Sequence, residues 1–169
     1  MKLKISSLMG LSLVLPFFLG NADMSAQTLP KRDQVEERFK WDLSPIYKSD
    51  NDMEKDFALL VKKADEFKKF KGKIGASAKE FADAITFYYD AEKVLMRLYF
   101  YSSMNKDLDL NDGKRSQLFQ RTNKAASDFS AATSYFMPEL MSYPQDKIMG
   151  FIKQDSRLKA YEYKIKEMF

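Results

Sequence analysis

From Ser77 to about Met104, apolar residues recur at three- and four-residue steps. Phe81, Ala84, Ile85, Tyr88, Ala91, Leu95, Leu98, Tyr99 and Ser102 share one helical face, and Phe87, Val94 and Tyr101 widen it. At 1.5 Å per residue this predicts a single helix roughly 40 Å long. A helix apolar on more than one side sits centrally among others. Ser77 followed by Glu80 has the form of a capping box at its start.

The rest of the chain follows the same period. A first helix is expected over about Asp52 to Lys71, carrying Met53, Phe57, Leu60, Val61, Ala64, Phe67 and Phe70. Ser49 and Asp52 make its capping signal, and Gly72 and Gly75 end it. A third is expected over about Lys114 to Phe136, with Leu118, Thr122, Ala125, Ala126, Phe129, Ala132, Thr133 and Phe136 on one face. Pro138 disfavours its continuation through Met137 and suits a new short turn at Pro138-Glu139-Leu140. Ser142 then opens a fourth helix bearing Ile148, Phe151 and Ile152. A fifth starts near Asp155 or Ser156 with Leu158, Tyr161, Ile165, Met168 and Phe169 on one side. Upstream, Ser44-Pro45 reads as an N-cap with proline at the first helical position, starting a short turn. Trp41 and Leu43 are expected to pin this segment onto the helices. No alternating strand pattern of useful length occurs. The expected fold is all-α: an antiparallel bundle of about five helices joined by short turns, preceded by a signal peptide.

Composition limits the chemistry. The 169 residues include no Cys and no His. That removes disulfides, thiolate nucleophiles, the Ser-His-Asp triad and histidine or thiolate zinc ligands. Twenty-eight basic residues stand among 24 acidic ones, a net charge of +4. The densest basic stretch holds Lys62, Lys63, Lys68, Lys69, Lys71 and Lys73, interrupted by Asp65 and Glu66. With Phe67 and Phe70 at helical spacing it reads as the wet side of an amphipathic helix. No nucleic-acid module accompanies it, so no nucleic-acid partner is expected. Asp107 to Gly113 is acidic, but an EF-hand loop from Asp107 needs Gly at its sixth and Glu at its twelfth position. Asp112 and Leu118 stand there.

Residues 1–26 read as a secretory leader: Lys2 and Lys4, a mostly apolar run from Ile5 to Phe18, then small residues with cleavage after Ala22 or Ala26. The apolar run is shorter than the roughly 20 residues a spanning helix needs, and Pro16 interrupts it, so no stable membrane anchor is expected. Export, to a periplasmic or extracellular location, follows from this reading. Residues 27–38 are polar, contain Pro30 and read as a linker; residues 39–169 form the helical domain. A chain of that size buries roughly two thirds of its unfolded surface, enough for a core without disulfides. The last helix carries no capping signal and its stripe runs to Phe169, which suggests the front of a longer protein.

The order of several short motifs resembles the N-terminal helical region of oligoendopeptidase F, in the M3 (thimet-like) family of zinc oligopeptidases. The opening Arg38-Phe39-Lys40-Trp41-Asp42-Leu43-Ser44-Pro45-Ile46-Tyr47, with Asp50 and Asp52 after it, resembles that family's entry. Phe70-Lys71-Gly72-Lys73-Ile74 resembles its aromatic-x-Gly-x-aliphatic turn. Leu98-Tyr99-Phe100-Tyr101-Ser102 followed by Asp107 and Asp109 resembles its long second helix and acidic loop. Phe136-Met137-Pro138-Glu139-Leu140 and Leu158-Lys159-Ala160-Tyr161 complete the series. The resemblance covers about Val35 to Phe169.

It implies the wall of a channel that admits short peptides, within an enzyme whose zinc is held by a downstream His-Glu-x-x-His helix and a further Glu. That motif activates the attacking water. No catalytic, cofactor-binding or metal residue is assigned in this chain. Zinc is expected in the full-length enzyme and not here, and the partner expected is the C-terminal catalytic domain. Tyr88, Tyr99 and Tyr101 are candidates to face the channel, with core packing as their ordinary role. The alternative is a stand-alone secreted helical module that binds a protein or peptide without catalysis.

Overall fold

The computed structural model describes residue 30 and residues 32–169. The proposed leader, residues 1–26, lies outside the described residues. Every regular element among the described residues is helical. The segment before the first long helix holds two 3-10 turns, Arg32–Gln34 and Glu37–Phe39.

Helix α1 spans Asp50–Glu66 and tightens into a 3-10 turn over Phe67–Phe70. Ser49 caps it by accepting the Asp52 N–H at 3.3 Å. The tighter turn repeats every three residues, so Phe67 and Phe70 point the same way, and both are buried. Gly72 then takes φ +78°, which reverses the chain. Gly75 serves differently. A Cβ there would sit 2.4 Å from the Tyr143 ring, so the bare backbone makes room for the aromatic.

Helix α2 spans Ala78–Leu108, about 46 Å. Ser77 caps it through the Glu80 N–H at 3.1 Å. It runs one turn past Met104, and the connection expected over Asn105 to Gly113 shrinks to Asp109–Asp112. The extra turn has a partner: Arg115 donates to the Asn105 carbonyl at 3.1 Å and to its side-chain oxygen, satisfying an acceptor at the helix end.

Helix α3 spans Gly113–Thr133 and is capped by Asp112, which accepts from the N–H groups of Lys114 (2.8 Å) and Arg115 (3.3 Å). It ends three residues before the expected Phe136. Helix α4 begins there, over Phe136–Met141. Pro138 explains the break. Its missing N–H is harmless in the first turn of α4 but would leave a gap in an unbroken helix.

Helix α5 spans Gln145–Gln154. The expected cap, Ser142, does not serve it: its hydroxyl donates to the Glu139 carbonyl at 2.6 Å, closing α4. Pro144 occupies the capping position without a side-chain bond. Asp155 caps the next segment through the Arg157 N–H at 3.1 Å. A 3-10 turn over Ser156–Tyr161 then leads into helix α6, Glu162–Glu167.

Upstream of α1, the chain makes the expected short turn over residues 44–46 and no helix follows it there; Asp42 accepts the Ser44 N–H at 2.9 Å. The pinning residues are Leu43 and Tyr47, both buried; Trp41 is 56% exposed.

Helices α1, α2 and α3 pack on one another. Met53, Phe57, Leu60, Val94, Leu98 and Phe129 form one core cluster. Phe67, Phe81, Phe136, Ile148, Leu158 and Ile165 belong to a second, where α2 meets the C-terminal helices. Helix α2 runs through both, as its wide apolar face requires, and Tyr88 packs against both.

Candidate functional site

Among the described residues no three of His, Cys, Asp or Glu converge where they could hold a metal ion. The acidic connection after α2 is occupied by backbone work. Asp109 accepts the Asn111 N–H at 3.0 Å, and Asp112 caps α3 while pairing with Arg115 at 3.0 Å. The carboxyls of Asp52, Glu54, Asp83, Asp112 and Asp155 are held below the usual carboxylate range. Their first causes are hydrogen bonds from Lys55, Arg121, Lys79, the Arg115 N–H and Arg157 respectively. Such groups stay ionised at neutral pH and make poor proton donors there. Their geometry serves capping and ion pairing.

The most built polar constellation joins two segments far apart in sequence. Both oxygens of Glu139 accept backbone N–H groups of the turn after α1, from Gly72 at 2.8 Å and Ile74 at 2.9 Å. Beside it, the Tyr135 hydroxyl donates to the Phe67 carbonyl at 2.5 Å. Thus Phe70-Lys71-Gly72-Lys73-Ile74 and Phe136-Met137-Pro138-Glu139-Leu140, separate motifs in the sequence, form one clamp. A second tie holds the N-terminal segment: the Tyr47 hydroxyl donates to Asp56 at 2.6 Å, and Arg97 pairs with the same carboxylate at 3.3 Å. Burial and the Asp56 carboxylate push the Tyr47 phenol far up.

The three candidate channel tyrosines separate. Tyr88, half-buried, stacks on the buried Phe136 ring, with centroids 5.1 Å apart and planes 9° apart. Tyr101 meets Tyr47 edge-on at 5.1 Å and is half-buried. Tyr99 is exposed beside Phe100, itself 57% exposed, with Met96 one turn away. This face of α2 continues the side that Tyr89 occupies nearer the N-terminus, where Tyr161 stacks on it at 5.2 Å. A groove of about 250 Å³ lies between α1 and α3, floored by Leu60, Ala64 and Phe129. At its rim Arg121 lies 4.0 Å over the Phe57 ring and holds Glu54 through two bonds of 2.5 and 2.7 Å.

Among the described residues, fold and surface define an all-helical region with exposed apolar side chains, its acidic groups largely engaged in caps and ion pairs. Comparison with known proteins gives it a relation. The chain is 30% identical to oligopeptidase PepF of Bacillus subtilis (strain 168) over 146 residues, 86% of this chain and 22% of that protein. It is 24% identical to group B oligopeptidase PepB of Streptococcus agalactiae, over 82% of this chain and 23% of that protein. The crystal structure of oligoendopeptidase-F from Enterococcus faecium superposes with a TM-score of 0.67 and 25% identity. That match covers 71% of this chain and 24% of that one. No family model matches. Over most of its length, therefore, the chain is a relative of the oligoendopeptidase F proteins. It spans a little over a fifth of the length of the curated relatives it matches.

No candidate catalytic residue was assigned from the sequence, and the described structure adds none. What sequence reading missed is the joining of the two turn motifs through Glu139. No local pattern signals a carboxylate capping a turn 65 residues away.

Proposed function

We infer that this chain is the N-terminal helical part of an exported oligoendopeptidase F-like zinc metalloendopeptidase, and that it forms part of the wall of a peptide-admitting channel. The carrying observation is the joint match in sequence and fold: 30% identity over 86% of the chain, and a TM-score of 0.67 to a solved oligoendopeptidase-F. The short connections between α1, α2 and α3 favour antiparallel neighbours within that wall. Zinc does not fit the residues present. The chain has no His and no Cys, and the described carboxylates do not converge. The metal chemistry belongs to the remaining part of the enzyme, and no step of it runs through these residues. What this region supplies is shape: a helical layer rigid enough to line a channel and keep folded proteins out. The basic-apolar leader supports export, with mature products starting at Asp23 or Gln27 as the expected masses.

A chimera tests the reading. Residues 39–169 replace the matched segment of the Bacillus subtilis relative, and a short fluorogenic peptide reports cleavage. Chelator-sensitive cleavage by the chimera is expected, and none by the 169-residue chain alone. A folded, zinc-loaded chimera that cleaves nothing would reject the wall assignment. So would chelator-sensitive cleavage by the isolated chain.

A further inference from the structure

The face of α2 that Tyr89 occupies is covered over one half of the helix and bare over the other. Ala78, Ala82 and Ile85 lie on Tyr89's side of α2, one to three turns before it, and all four are buried. Helix α5 and the 3-10 turn Ser156–Tyr161 contact α2 there, and Tyr161 and Lys164 both meet the Tyr89 ring. Met96 and Phe100 follow seven and eleven residues after Tyr89 and are exposed. At 3.6 residues per turn they stand about 20° to either side of it, so they continue the same face. Helices α1 and α3 do not cover them. On one flank Arg97 reaches Asp56 of α1 at 3.3 Å, and on the other Tyr99 packs on Phe119 of α3 at 5.9 Å. Leu98, on the opposite side of α2, is buried in the core that α1 and α3 share with it.

The covering layer advances along α2. Arg157 pairs with Asp83 at 2.6 Å, and Tyr161, four residues later, stacks on Tyr89, six residues further along α2. The C-terminal segment therefore runs in the direction of α2, toward Met96 and Phe100, which lie about 10 and 16 Å beyond Tyr89 along the axis. The curated relatives carry more than three quarters of their length outside the part that matches this chain. Resting on the reading of this chain as the N-terminal part of such an enzyme, we propose that the Met96–Phe100 ridge of α2 seats an apolar segment of the remaining part of the same protein. That segment extends the layer begun by α5, the 3-10 turn and α6. The ridge offers a thioether and an aromatic ring. Lys93, the charged residue between Tyr89 and Met96 closest to their line, is paired with Asp90 at 3.2 Å. An apolar row of side chains gains by leaving water there. A second copy of the chain is the weaker occupant. A tethered segment meets the ridge at an effective concentration of about millimolar, well above that of a free partner at micromolar level.

The chain's lack of cysteine makes thiol labelling the test. M96C, F100C and, on α1, K62C are each placed in the 169-residue chain and in the chimera with the Bacillus subtilis relative. Maleimide labelling rates are read site by site by peptide mass at low micromolar protein. M96C and F100C are expected to label about tenfold or more slowly in the chimera than in the isolated chain. K62C, at an exposed side chain, is expected to differ less than about twofold. Equal rates for F100C in the two proteins would overturn the proposal, as would equal slowing at K62C. Peptide cleavage is read on the same chimera, so a chimera that cleaves while F100C stays fast sinks the docking and leaves the wall assignment standing. Labelling that stays fast in the chimera until peptide is added would assign the ridge to the channel instead. Slowing that appears in the isolated chain as its concentration rises, with none in the chimera, would assign it to a second copy. The native relative with cysteine at the position aligned with Phe100 gives a readout independent of the chimera's folding. Labelling there is expected to be about tenfold or more slower in the folded enzyme than in denaturant, and equal rates would overturn the proposal.

Discussion

Glu139 shows how much one side chain can organise here. The backbone at Gly72 turns with positive φ and directs its N–H, with that of Ile74, away from any helical partner. A carboxylate satisfies both with one group, and charge-assisted bonds of this kind are the stronger sort. Glu139→Gln keeps the shape but sets an amide NH₂ against an N–H donor. We expect it to lose about 2 kcal/mol of unfolding free energy, seen as a lower denaturant midpoint with an unchanged slope. An unaltered midpoint would show the clamp to be dispensable. Sequence alone marks Glu139 only as a member of an aromatic-x-Pro-Glu motif. Its role is non-local, and helical periodicity carries no information about what a side chain bonds across space.

At the scale of elements, local signals were legible wherever a cap acts on its own helix. Ser49 and Ser77 accept the expected N–H groups, and Gly72 ends the α1 segment. The failure at Ser142 has a local cause: the residue type suits a cap, but its hydroxyl is taken by the Glu139 carbonyl. Helix α2 outran its expected end because Arg115 supplies donors from the following helix. Contacts between elements also set an alkaline limit. Burial first, then neighbouring carboxylates, push the phenols of Tyr89 and Tyr135 up to about 12. The fold therefore disfavours their ionised forms. The stability they contribute is complete below the ordinary tyrosine value near 10 and disappears as pH rises toward 12. Alkaline unfolding followed by circular dichroism should fall in that window, together with phenolate absorbance. Phenolate absorbance rising wholly below pH 10.5 in the folded protein would contradict it.

For the molecule as a whole, the all-helical character and the relation to oligoendopeptidase F were both readable. Period, capping and motif order survive at modest identity. Which apolar residues stay in solvent was not readable, because a stripe does not say where its covering ends. Val61 on α1 is 66% exposed, and on α2 Met96 (40%) and Phe100 (57%) stay exposed beyond the region that Tyr161 covers, while Tyr99 packs on the Phe119 ring at 5.9 Å. An exposed apolar face such as that of Met96 and Phe100 favours association. Sedimentation of the chain at high micromolar concentration should show self-association that Phe100→Asp reduces severalfold; a strictly monomeric parent chain would refute this. The Glu139 clamp has a further consequence, in time rather than in space. It closes over 65 and 67 residues of intervening chain, whereas α1, α2 and α3 are sequential neighbours joined by short turns. Loop-closure entropy therefore lets the α1–α2 and α2–α3 pairs meet first, while contacts that span both, the Glu54–Arg121 pair at 67 residues and the Glu139 carboxylate alike, arrive late as latches on structure already formed. Losing such a latch speeds opening and leaves the rate of folding nearly untouched. This region's persistence against transient unfolding is thus governed by a contact that its folding does not wait for.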